Sequence, residues 1–111
     1  MHYTRHATKR FVERFPKLCY NATPFDAINN CFKGASLNKS TKNNTAYMVF
    51  LYERYGDNNF DFYENGDVLF ICKGGMVVTV LNRNDPSSPI YRTHGSSKVR
   101  FSNRNQKGNL T

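Results

Sequence analysis

The chain has 111 residues, with 16 Lys and Arg against 8 Asp and Glu, a net charge of +8. That length fits one domain with one modest core, and the charge favours polyanions, nucleic acid ahead of an anionic membrane. No apolar run approaches the roughly 18 residues of a spanning helix, and the N-terminus lacks the apolar stretch of a signal peptide. A cytoplasmic protein with no membrane partner is therefore expected.

The aromatic content comes from nine Phe and seven Tyr, without Trp. This predicts an aromatic-rich core. Cys19, Cys31 and Cys72 are widely spaced and sit among apolar neighbours, so reduced thiols are expected rather than a metal site. The Asn-x-Ser/Thr patterns at Asn21, Asn38, Asn43 and Asn109 carry little weight in a chain that is not secreted.

In chain order, residues 4–17 read as a helix. Thr4 is a candidate cap, Phe11, Phe15 and Leu18 recur at helical spacing, and Pro16 marks the end region. A second helix is predicted over residues 23–33. It has Thr23 as N-cap, Pro24 at the first helical position, Gly34 after the last turn, and Phe25, Ile28 and Phe32 on one face. Residues 35–45 are polar and read as a loop. The run AYMVFLYERY (46–55) is long enough for a helix yet rich in strand formers. Periodicity does not separate the two, and helix is the reading adopted.

FDFY, DVLFIC and MVVTVLN follow, separated by ENG and KGG. This is the pattern of a three-strand antiparallel meander with tight turns. Strand alternation places Val77, Thr79 and Leu81 on one face, and Met76, Val78, Val80 and Asn82 on the other. Beyond Arg83 the chain turns basic. SKVRF is a candidate edge strand, the domain is expected to span residues 1–103, and residues 104–111 read as a mobile basic tail. The expected class is α+β, with two or three N-terminal helices packed on a small antiparallel sheet of three to four strands.

The charge is unevenly placed. Residues 1–20 carry net +4 and residues 83–111 net +5, whereas residues 21–82 sum to −1. Two basic ends around a near-neutral centre suggest that the ends meet on one face.

The segment HATKRFVERF (6–15) concentrates that charge. At 100° per residue, His6, Arg10 and Arg14 fall at about 0°, 40° and 80°, beside Glu13 and next to the Phe stripe. An imidazole and two guanidiniums in one row suit RNA cleavage. His takes or gives a proton near neutrality, and Arg offers a planar fork for phosphate oxygens. The plain alternative is a solvated basic helix in which Glu13 pairs with Lys9 or Lys17.

HATKRFVER, two helices, and a meander ending in VVTVLNR together resemble the small ribonucleases of the barnase–EndoU–colicin–RelE superfamily, including its toxin and phage-encoded members. The resemblance covers about residues 3–83. It implies helices packed on an antiparallel sheet, and metal-independent RNA cleavage leaving a 2′,3′-cyclic phosphate, with no cofactor. It further implies that His6 and Arg10 are catalytic, with Arg14 nearby and Thr79 projecting from the sheet into the same cleft. tRNA is then a candidate substrate, and an immunity protein or antitoxin a candidate partner.

Further candidate phosphate contacts are Lys73 in the KGG turn, and Arg83, Arg92, Lys98 and Arg100, which interleave with Tyr91 and Phe101. His94 is a candidate second proton-transfer group. Two other functions fit the same charge pattern: a non-catalytic RNA- or DNA-binding protein, and a protein inhibitor of a host enzyme.

Overall fold

The Thr4 hydroxyl accepts a hydrogen bond from the Ala7 amide at 2.9 Å, which makes Thr4 the N-cap of the first helix, α1 (Arg5–Arg14). The same hydroxyl donates to the Val78 carbonyl at 3.1 Å, and the Thr4 amide donates to the Val77 carbonyl at 3.0 Å. One residue thus starts the helix and ties it to a strand 74 residues away. In this computed structural model, which describes residues 1–91, α1 stops at Arg14. Phe15 leaves helical geometry (φ −134°, ψ 57°) because Pro16 disfavours the α region for the residue before it. A short 3-10 turn, Pro16–Cys19, follows in place of the predicted last helical turn. Leu18, expected in the core stripe, is consequently half exposed.

The second helix, α2 (Pro24–Lys33), has the expected Thr23 cap, whose side chain accepts from the Asp26 amide at 3.1 Å. The predicted loop contains a three-residue strand, β2 (Ser36–Asn38), and a 3-10 turn, Ser40–Asn43. The ambiguous run is a helix, α3 (Thr45–Tyr55), capped by Asn44 and closed by Gly56 in the left-handed region (φ 85°). The meander forms as expected: β3 (Asp61–Asn65), β4 (Val68–Lys73) and β5 (Met76–Asn82). Gly74 and Gly75 (φ 59° and 77°) make the two-residue turn between β4 and β5, which needs positive φ at both positions.

The fold class is α+β. The sheet has five strands in the order β1-β5-β4-β3-β2, where β1 is His2–Tyr3. The two outer strands extend the meander at its edges. They are two and three residues long, too short to show an alternating pattern in the sequence. β1 runs parallel to β5, so the sheet is mixed. The expected SKVRF strand and the 103/104 boundary lie outside the described residues.

The chain divides into two units, Met1–Thr41 with Asn59–Asp85, and Lys42–Asn58 with Pro86–Thr111. The first holds the sheet, α1 and α2. Its core joins Ala7 and Phe11 of α1, Ala27 and Ile28 of α2, and Val68, Phe70, Cys72, Val77 and Val80 of the sheet. The predicted aromatic core is realised around Phe32, whose ring meets Phe70 at 5.1 Å and Tyr63 at 5.3 Å between centroids, both edge to face. Burial holds the Cys72 thiol up at about 12, helped by the nearby Asp61 charge, so it stays a neutral thiol within the core. In the second unit, α3 buries Tyr47 and Leu51, and Asn44 Nδ2 donates to the Ile90 carbonyl at 2.7 Å.

Register corrects one prediction. Cys72 pairs with Val77 but Ile71 pairs with Thr79, so Val78 is an extra residue, a β-bulge. The bulge resets the alternation. Val77 joins Val80 on the α1 face, while Thr79 lies opposite Ile71 on the other face. Val77 and Thr79 therefore do not share a face, as strict alternation would require. The bulge also gives Thr4 the Val78 carbonyl to bond. Thr4→Ala removes the cap and that strand tie together, and is expected to cost about 1–2 kcal/mol. Urea unfolding followed by circular dichroism measures it, and a loss below ~0.3 kcal/mol would show that neither bond matters.

Candidate nucleic-acid interface

α1 lies on β5 with Ala7 and Phe11 inward. Both ends are fastened to the outer edge of that strand, which β1 covers only at Met76 and Val77. Thr4 bonds Val78 at one end. At the other, an Arg14 guanidinium nitrogen donates to the Val80 carbonyl at 2.7 Å. A strand carbonyl beyond the reach of β1 is thereby satisfied.

The outer side of α1 carries Arg5, His6, Lys9, Arg10 and Glu13. Arg5, Lys9 and Glu13 are exposed, and His6 and Arg10 half-buried. Lys17 is exposed just past the helix. Arg10 donates to Glu13 at 2.6 Å, one turn along the same helix. This bond, ahead of the general pull of Lys9 and Arg14, holds the Glu13 carboxyl below its ordinary range. The expected Glu13 pairing with Lys9 or Lys17 is thus replaced by one with Arg10. The face still presents more cations than its single carboxylate balances.

The proposed row of His6, Arg10 and Arg14 is present on one helix, but its members have different roles. Arg14 is a tie between helix and strand. Arg10 is engaged by Glu13. His6 lies one turn before Arg10 on the accessible side.

Thr79 does not join them. It is 8% exposed and faces away from the α1 side of the sheet, so the expected shared cleft does not form. The physical reason is the bulge at Val78, which strict alternation could not anticipate.

Lys73 ends β4 at the glycine turn and is half-buried. Arg83 is committed elsewhere. It donates to Glu64 Oε1 at 3.2 Å and to the Gly66 carbonyl at 2.6 Å. Glu64 also accepts from Asn38 Nδ2, and Asn38 Oδ1 accepts from the Thr41 amide and hydroxyl, both at 2.9 Å. This network joins β2, β3 and the end of β5, and sequence reading missed it. It makes Arg83 a clamp on the β3–β4 turn rather than a projecting phosphate contact. Arg92, His94, Lys98 and Arg100 lie outside the described residues.

Among the described residues no group of three His, Cys, Asp or Glu side chains is placed to hold a metal ion, and no helix is long and apolar enough to cross a membrane. Comparison with protein-family models, curated proteins and solved structures returned no match.

Proposed function

We propose that this protein binds RNA through the outer face of α1. The observation that carries this reading is a short helix, fastened at both ends to β5, whose solvent side holds Arg5, Lys9 and Arg10 around His6 against one carboxylate. A fastened helix presents its cations from one fixed backbone, and phosphate contact releases counterions from the polyanion. The basic residues beyond Arg83 add to the same attraction. In this reading the protein acts in the cytoplasm.

A second reading is metal-independent cleavage of RNA, with tRNA as a candidate. It is favoured by one observation: His6 and Arg10 are one helical turn apart on the accessible side. In that reaction His6 takes the 2′-OH proton and the 2′-oxygen bonds to phosphorus. The P–O5′ bond then breaks to give a 2′,3′-cyclic phosphate, and the imidazolium returns its proton to the leaving 5′-oxygen. Arg10 stabilises charge on the phosphate oxygens. Thr79 and Arg14 have no part in it, the first because it faces away and the second because it holds Val80.

One pair of measurements tests both readings. Fluorescence anisotropy with labelled RNA should give an affinity that falls steeply as salt rises from about 50 to 200 mM. Binding that is absent, or flat in salt, overturns the main reading. Incubation of total RNA in EDTA beside a His6→Ala variant tests the second. Discrete fragments from the unaltered chain alone support cleavage, and intact RNA bound by both proteins leaves binding without chemistry.

A further inference from the structure

Helical periodicity places Phe25, Ile28 and Phe32 on one face of α2. Of these, Ile28 is fully buried and Phe25 is 57% exposed. Its ring is not loose. It meets the ring of Tyr3 edge to face, 5.8 Å between centroids with an interplanar angle of 79°.

Tyr3 is fixed in turn. Its hydroxyl donates to Asn29 Oδ1 at 2.7 Å, its ring meets Phe32 at 6.2 Å, and its backbone belongs to β1. Burial raises the Tyr3 pKa, which favours the protonated phenol as that donor.

Tyr3 also immediately precedes the cap of α1. The exposed Phe25 ring therefore packs on the residue two positions before Arg5, the first residue of α1, with His2 exposed in β1. In a perpendicular contact of this kind Tyr3 occupies at most one face of the Phe25 ring. With more than half of its surface exposed, the ring keeps area open to solvent. Asp26 is the acidic neighbour, and it sits in the first turn of α2, where the helix dipole favours its charge.

A held aromatic face next to phosphate-binding cations matches one chemistry, an unpaired base whose own backbone phosphate lies within reach of Lys or Arg. A duplex keeps its bases stacked and offers none. We infer that Phe25 is a stacking platform for a base of single-stranded RNA, beside the cationic first turn of α1. This inference rests on the RNA-binding reading above and gives it a substrate class: single strands over duplexes.

The test compares a 12-nucleotide single-stranded RNA with a 12-base-pair duplex, by anisotropy, for the unaltered chain, Phe25→Ala and Phe25→Tyr. Phe25→Ala should weaken the single strand about tenfold and leave the duplex within about twofold, while Phe25→Tyr keeps affinity. The salt slope should not change, because no cation is removed. The chain has no Trp, so Phe25→Trp supplies a unique fluorophore whose emission a stacked base should quench. Single-strand binding that Phe25→Ala leaves intact, or that proceeds without quenching of Phe25→Trp, overturns the platform and keeps the RNA reading. An unaltered chain that binds neither RNA overturns both.

Discussion

Reversing Arg5 and Lys9 together to Glu is expected to weaken RNA binding about a hundredfold at ~0.1 M salt, roughly 2.7 kcal/mol. Both residues are exposed on the outer face of α1, and neither belongs to the core. The fold should tolerate the change, since a carboxylate in the first helical turn complements the helix dipole. Two lost phosphate contacts on a single strand should also lower the slope of log affinity against log salt by about 1.4. The matched control is Lys33→Glu with Lys39→Glu. It changes net charge by the same amount at the end of α2 and just past β2. If the control weakens binding equally, net charge alone drives association and α1 is not the interface.

Phe11→Ala is expected to cost about 3–5 kcal/mol. Phe11 is fully buried, between the Phe15 ring at 5.7 Å and the β5 side of the core. Truncation leaves a cavity where α1 meets the sheet, and the ties at Thr4 and Arg14 limit how far the helix can collapse into it. Since small domains have only about 5–15 kcal/mol of stability, the variant should lose much of its margin. Urea denaturation followed by far-ultraviolet circular dichroism measures this. A loss under ~1 kcal/mol would mean that Phe11 does not anchor α1. RNA binding should fall with the folded fraction, whereas the Arg5 and Lys9 reversal should lose binding in a fully folded chain.

Local chemistry made much of the fold legible. Thr23, Pro24 and Gly34 delimit α2 because capping and proline geometry act within a turn. The ENG and KGG turns delimit the meander because tight hairpins demand positive φ, supplied here by Gly66, Gly74 and Gly75. The basic face of α1 follows from 100° periodicity alone. The missed edge strands have a different cause. β1 and β2 exist because β5 and β3 had open edges, which no local signal marks. Leu18 is exposed because Pro16 ended the helix early.

By itself the sequence determined the α+β class, the limits of α2 and of the meander, and the concentration of cations on one side of α1. Each depends on residues within a few positions of one another, where propensity, turn chemistry and periodicity act directly. Only the tertiary structure decided which of the candidate residues come together. The bulge at Val78 turned Thr79 away from α1. The open carbonyl of Val80 took Arg14, and Glu64 with Gly66 took Arg83. Tyr3 holds the exposed Phe25 ring by an edge-to-face contact. Apart from the bulge, which is set between adjacent strands, these outcomes turn on hydrogen-bond partners and ring contacts 17 to 66 residues away in the chain, and pattern along a sequence carries no record of which distant carbonyl or ring will be free.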